Sequence, residues 1–253
     1  MILHRNIAIA ITGLFIFAST PALADVVAVI GTGRMGSALG LRFAETGHTV
    51  IYGSRNPNSE KAAAVVARTG NGARVDTSAN AIAEADIVAL VLLWRATEDL
   101  IKSNVDNLDG KIIFDVTNAP IRAIQPDREN AVDTSAGQLI QEWAPKSKVV
   151  KAFNTVGYHI LENPAHAGGP VTVPLVGNDL PAMEKVAELV QAMGFETMIL
   201  GGIEQAHVLE GMALLYFAPY AQGRFDEAFE YYFRKGTAPT GVNSSRVRGA
   251  DTE

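Results

Sequence analysis

Glycines at positions 31, 33 and 36, in Gly31-Thr32-Gly33-Arg34-Met35-Gly36, follow directly on the apolar run Val26-Val27-Ala28-Val29-Ile30. This spacing lets a backbone turn tightly after a strand and approach a pyrophosphate, whose charge then rests on the N-terminus of the next helix. A second stretch, Gly53-Ser54-Arg55, falls where NAD sites place an Asp or Glu on the ribose 2′-hydroxyl, about 20 residues downstream. No carboxylate stands there. A carboxylate would repel a 2′-phosphate, whereas the Arg55 guanidinium and the Ser54 hydroxyl can bind one. The two segments together point to NADP.

In open α/β sheets, ligands bind at the carboxyl ends of the strands. The chain offers Leu92-Leu93-Trp94, Asp115-Val116-Thr117-Asn118-Ala119-Pro120 and Ala152-Phe153-Asn154-Thr155 at such ends. Thr117, Asn118, Asn154 and Thr155 could hydrogen-bond a nicotinamide amide or an acceptor, and serve equally well as plain turn formers. No Tyr-x-x-x-Lys pair stands at these strand ends, and no strand-end Lys or His is an obvious proton donor to a carbonyl. No catalytic residue is therefore singled out. Hydride transfer to a flavin-like ring fits this absence, because stacking two rings at the right distance supplies most of what it needs. Glu204, His207 and Glu210 could touch a substrate, but read first as a helix-start cap and solvated faces.

The elements that must position these residues follow from the apolar pattern. Short β-branched runs alternate with amphipathic stretches, the mark of a Rossmann-type doubly wound α/β fold with a mostly parallel sheet. Strands are expected at 26–30, 49–52, 73–75, 85–93, 111–116, 148–153, 171–176 and 195–200. The run 85–93, apolar on both faces, should be central. Helices are expected at about 34–46, stopped by Gly47, from Asn58 or Ser59 to before Gly70, briefly after Thr77 or Ser78, from Thr134 or Ser135 to Trp143, and from Asp179 to Met193. From Ile203 to about Arg234 the chain reads as a small, apolar, C-terminal helical segment. Its run Ala213-Leu214-Leu215-Tyr216-Phe217 could serve a homodimer interface as easily as a pocket. The resulting division is a signal peptide at 1–24, a dinucleotide-binding domain at 25–200, a helical segment at 201–236 and a frayed tail at 237–253.

With 253 residues and 48% hydrophobic content, the chain can bury a full core. A net charge of −6 argues against nucleic acid as a partner. Cysteine is absent and the five histidines lack metal-ligand spacing, so no metal site is expected. His4 and Arg5 precede an apolar run from Ile7 to Ala18, which ends in Ser19-Thr20-Pro21-Ala22-Leu23-Ala24. That is an export signal with an A-x-A cleavage pattern, too short to span a bilayer, and no membrane span is expected after cleavage. It predicts a periplasmic or secreted chain beginning at Asp25, with an uncleaved membrane anchor as the alternative; N-terminal sequencing that returned Met1 would reject cleavage. NADP is an intracellular coenzyme, and the lone Arg of this leader does not make a twin-arginine signal for folded, loaded cargo. The sequence leaves that tension standing.

Together the segments Gly31-Thr32-Gly33-Arg34-Met35-Gly36, Gly53-Ser54-Arg55-Asn56-Pro57, Val149-Val150-Lys151-Ala152-Phe153-Asn154-Thr155 and Pro174-Leu175-Val176-Gly177-Asn178-Asp179 resemble the NADPH-dependent reductases of coenzyme F420. They are equally similar to the oxidoreductase domain of the STEAP metalloreductases, and the resemblance runs from about Asp25 to Lys235. It implies hydride exchange between NADPH and a flavin or deazaflavin, with F420, FMN or FAD as co-substrate. It also implies that Thr32, Gly33, Arg34 and Met35 line the pyrophosphate and that Ser54 and Arg55 take the 2′-phosphate. Ala152 then falls on the nicotinamide side, and the terminal helices form the wall of a second pocket. A basic residue of the F420 enzymes has no counterpart at Ser59, although Lys61 is near. The family is typically intracellular or faces the cytosol, whereas an export signal is expected here. The STEAP proteins continue into a heme-bearing membrane domain, whereas no membrane span is expected here after cleavage, so a heme partner would be another chain. The competing functions are a reductase of imines or 2-oxo acids, whose long helical domain is missing here, and a non-catalytic redox sensor.

Overall fold

A computed structural model describes residues 24–237; residues 1–23, where an export signal is expected, and 238–253, where a frayed tail is expected, lie outside the described part. Eight strands form one sheet in the order β3-β2-β1-β4-β5-β6-β7-β8. They are β1 (Val26–Ile30), β2 (Thr49–Ser54), β3 (Arg74–Thr77), β4 (Ile87–Leu90), β5 (Ile112–Asp115), β6 (Lys148–Lys151), β7 (Thr172–Gly177) and β8 (Glu196–Gly201). Neighbours run parallel except β6 and β7, where Val150 faces Gly177 and Lys151 faces Val176 in antiparallel register. Strand order reverses between β1 and β4, which opens the crevice where doubly wound sheets bind ligands.

Helices cover both faces: α1 (Arg34–Glu45), α2 (Glu60–Thr69), α3 (Ser78–Glu84), α4 (Thr97–Ser103), α5 (Val105–Leu108), α6 (Ala136–Trp143), α7 (Tyr158–Glu162), α8 (Leu180–Ala192) and α9 (Ala206–Ala221). Because side chains alternate along a strand, Val27 and Val29 join the core on one face with Phe43 and Phe114, whereas Ala28 and Ile30 join the other with Ile82 and Leu90. The helix starts follow from short polar side chains: Ser59, Thr77, Ser135 and Asp179 each accept a hydrogen bond from a backbone N–H in the first turn of α2, α3, α6 and α8.

Two expectations are corrected. The strand expected over 85–93 holds its ladder only over Ile87–Leu90, because the chain turns into a 3₁₀ segment at Trp94–Ala96. The C-terminal helical segment stops at Ala221 rather than near Arg234. Pro219 sits in its last turn without an N–H to donate, and Gly223, at φ 70°, follows the end. Beyond a short 3₁₀ turn at Phe225–Glu227 the chain returns along β7: Thr172 N–H donates to the Tyr231 carbonyl at 2.8 Å, and Phe233 N–H donates to Thr172 Oγ1 at 2.9 Å. On α9, Ala213 and Tyr216 are buried while Leu215 and Phe217 are exposed. Among the described residues no helix is long and apolar enough to cross a membrane.

Candidate active site

The glycine turn leaves the carboxyl end of β1 beside the crevice. Gly31 has φ 128°, and a Cβ there would stand 2.2 Å from the Val91 carbonyl oxygen; at Gly36 a Cβ would stand 2.0 Å from the Gly31 carbonyl oxygen. Both positions therefore require glycine. Gly33 has a different reason. It is the N-cap of α1, no side chain caps that helix, and nothing lies within 4 Å of where its Cβ would be. The first N–H groups of α1 consequently look onto open space, a cradle that suits a pyrophosphate.

The second recognition element is tied to the first. Gly31 N–H donates to the Gly53 carbonyl at 3.2 Å, which fixes the end of β2 against the turn. Ser54, half-buried, accepts a hydrogen bond from Asn56 N–H at 3.1 Å, and Arg55 stands exposed beside it. Ser59 is occupied in capping α2, and Lys61 is exposed in the first turn of that helix. Arg34 is exposed as well, its guanidinium 5.4 Å from the centre of the Tyr158 ring, and Thr32 is half-buried.

A cavity of about 370 Å³ opens from Met35, next to the turn, to the far half of α9. Val116, Phe153 and Val156 line it from the strand ends, Tyr158 and His159 from α7, and Tyr216, Phe217 and Tyr220 from α9. Two amides, Asn118 and Asn154, interrupt this apolar wall. Asn118 Nδ2 donates to the Asn154 carbonyl at 3.1 Å; Asn154 Nδ2 donates to Asn118 Oδ1 at 3.1 Å and to the Leu209 carbonyl at 2.7 Å. Asn154 Oδ1 is buried with no partner. A carboxamide N–H is the kind of donor that this orphan acceptor lacks, so the residues present fit a nicotinamide. Phe153, buried between Phe114 and Phe195, holds φ at 56°. A bulky residue adopts that conformation only when its packing enforces it, and here it sets the path of the chain into Asn154.

Beneath the cavity lies a buried ion cluster. Lys151 Nζ is 2.6 Å from Asp115 Oδ2 and 3.1 Å from Glu210 Oε1, and it donates to the Thr117 carbonyl at 2.7 Å; none of the three charged side chains is exposed. Asp115 Oδ1 accepts from Thr117 N–H and Oγ1–H. Glu210 accepts from the N–H groups of Ala119, Ala136 and Gly137, so it joins α9 to the start of α6. Burial alone would depress the Lys151 ammonium, but Asp115 and Glu210 outweigh it and raise its pKa. Glu210 is thus a buried brace rather than a solvated or substrate-facing group, whereas Glu204 and His207 are exposed. At the other end of α9, Gly157 N–H donates to Tyr216 Oη at 2.9 Å, and Tyr216 donates to Glu230 Oε1 at 2.9 Å. Burial raises both the Tyr216 hydroxyl and the Glu230 carboxyl above their ordinary ranges.

Of the residues singled out from sequence, Met35, Asn118 and Asn154 meet in the cavity, and the glycine turn is joined to the end of β2, where Ser54 and Arg55 follow, by the Gly31–Gly53 bond. Ala152 is fully buried, directly before Phe153. Leu93 is exposed, and Trp94 is stacked on Trp143 at 5.5 Å with Nε1 donating to the Asn130 carbonyl, so neither lines the cavity. Phe153 falls within a strand-end segment and Tyr216 within the run read as interface or pocket, whereas nothing local marks Val156, Tyr158 and His159 as wall residues.

Residues 26–119 match the family model for NADP oxidoreductases dependent on coenzyme F420. The F420-dependent NADP reductase of Methanothermobacter thermautotrophicus is 30% identical over 201 residues, which cover 73% of this chain and 84% of that protein. Metalloreductase STEAP3 of Rattus norvegicus is 28% identical over 197 residues; they cover 78% of this chain but only 38% of that one, so the chain spans well under half of that relative. Among solved structures, one described as an F420-dependent NADP reductase from Arthrobacter superposes with a TM-score of 0.73 at 27% identity, covering 83% of this chain and all of that one.

Proposed function

Since the chain belongs to the F420-dependent NADP reductase family, and is an NADP-dependent oxidoreductase of that kind, we propose that it passes hydride between NADP(H) and a flavin-like ring, namely coenzyme F420, FMN or FAD. The observation that carries this reading is the largely apolar cavity of about 370 Å³ that starts at Met35 and ends under α9, with Asn118 and Asn154 as its amides. The glycine turn and the N-terminus of α1 receive the pyrophosphate, and Ser54 and Arg55 receive the 2′-phosphate. Asn154 Oδ1 accepts from the carboxamide of the nicotinamide and so sets the ring's rotation. Phe153, Val156 and the α9 aromatics exclude water and hold a second flat ring against the first. Bound NADPH supplies the hydride; positioning is what the protein contributes.

The test is spectroscopic. Purified chain is mixed with NADPH or NADH and with FMN, FAD or coenzyme F420, and bleaching of the acceptor is followed. NADPH-dependent bleaching of at least one acceptor, with NADH much slower, is the expected result. No bleaching of any acceptor by NADPH rejects the proposal.

A further inference from the structure

Hydride transfer to a flavin-like ring also consumes a proton, and the cavity wall holds one group suited to supply it. His159 lies in the first turn of α7, half-buried, and lines the cavity. The other titratable residues of the wall are phenols (Tyr158, Tyr216 and Tyr220), whereas histidine is the side chain that gains and loses a proton between about pH 5 and pH 8.

The seat of this imidazole is built rather than incidental. A Cβ placed on Gly157 would lie 2.7 Å from His159 Cε1 and 2.8 Å from Tyr216 Oη, so only glycine lets the imidazole and the phenol close on the same point. Gly157 is itself fixed by its N–H bond to Tyr216, and Tyr216, fully buried, is fixed by Glu230. We propose that His159 is the proton donor of the acceptor pocket, held by Gly157, Tyr216 and Glu230, and that the pocket takes acceptors whose reduced ring binds a proton along with the hydride. This rests on the hydride-transfer reading above.

The step balances. The C–H bond at C4 of the nicotinamide breaks, and its electron pair forms the new bond to the acceptor, which is reduced while the nicotinamide is oxidised. The acceptor ring is left with one negative charge. The imidazolium N–H of His159 breaks, its proton bonds to a ring heteroatom of the acceptor, and neutral imidazole regains a proton from water at its exposed side.

The ionisable groups on the surrounding elements are few. Tyr158 lies beside His159 on α7, with Arg34 of α1 over its ring, and Glu162 on the same helix pairs with Arg68 of α2 at 2.8 Å. Tyr216 and Tyr220 face it from α9, and Glu230 from the segment that follows. Glu162 already has a cation partner, and no lysine lines the cavity.

The experiment compares wild type, His159→Gln and Tyr216→Phe as full chains, oxidising NADPH with FMN and with coenzyme F420 between about pH 5.5 and about pH 8.5. Wild-type kcat should fall as pH rises, because the imidazolium is lost. His159→Gln should be slower by about a hundredfold or more and flat across this range, with NADPH affinity changed less than about threefold. Tyr216→Phe, a positioning change, should lower kcat but keep the pH-dependent limb. A His159→Gln chain that retains the wild-type rate and limb overturns the inference while leaving hydride transfer intact. Unaltered kcat in Tyr216→Phe removes the positioning role. A wild-type chain inert toward both acceptors overturns the functional reading and this inference together.

Discussion

At the tip of β2, Ser54 is half-buried with its hydroxyl already bonded to Asn56 N–H, while the neighbouring guanidinium of Arg55 stands in solvent. The cation is therefore the part that discriminates. A charge-assisted hydrogen bond contributes about 1.5–3 kcal/mol, so Arg55→Ala should raise the dissociation constant of NADPH about 10- to 100-fold and leave that of NADH nearly unchanged. Fluorescence titration with both coenzymes measures it; equal losses would refute the 2′-phosphate role. The glycine turn was legible because its glycines recur at a fixed spacing right after a strand, and Gly36 is required by the backbone of Gly31 just before it. Lys151 was not legible. In the strand Lys148-Val149-Val150-Lys151 it looks like a solvated strand end, and its partners Asp115 and Glu210 lie in distant segments. Lys151→Met leaves two carboxylates buried beside each other and should cost about 3–5 kcal/mol in urea unfolding. The pH signature has a definite sign. A lysine whose pKa is raised on folding contributes its stability fully below the unfolded value and loses it as pH climbs through the folded one, so the wild-type benefit should persist through neutrality and fade only in strong alkali.

Among the elements, starts were far easier to place than ends. Ser59, Thr77, Ser135 and Asp179 announce helices through bonds from N–H groups three residues on, a spacing that a sequence displays directly. Ser59→Ala should accordingly cost about 1 kcal/mol, seen as a lower Tm without change in the sheet. The ends depend on what the chain meets next. The stretch beyond Gly223 is rich in aromatics and passes for helix, yet Tyr231 and Phe233 spend their backbone groups on Thr172 of β7. Similarly, α4, α5 and α7 are too short to show a period, and α7 forms because α1 and the cavity wall give it something to pack against.

For the molecule as a whole, the segment after Phe225 is held by Thr172, by the Tyr216–Glu230 bond and by Tyr231 Oη, which donates to the Met212 carbonyl at 3.0 Å. Burial raises the Glu230 carboxyl, so folding favours its protonated form. That contribution is complete below the unfolded pKa and is lost as pH rises through the folded one. Amide exchange at Phe233, corrected for intrinsic rates, should therefore be slower in mild acid than at mildly alkaline pH, and Glu230→Gln should abolish the difference. Equal protection in wild type at both pH values would reject this account.

The reversed pair β7 and β8 has one more consequence, which concerns how the chain can tolerate change. It returns the polypeptide beside Gly137 and Lys151, so α9 sets out level with the ion cluster and screws upward to the cavity. Glu210 pins one turn of that screw and Tyr216 another, six residues or about 9 Å along the axis. A single residue inserted between them would rotate the upper thread by about 100° and swing Tyr216 off Gly157 while Glu210 stayed bolted. Four inserted residues would bring the face round to within about 40° but lift it about 6 Å past its mate. The span from 210 to 216 therefore behaves as a thread cut to one length, in which insertions between the two pins are not absorbed.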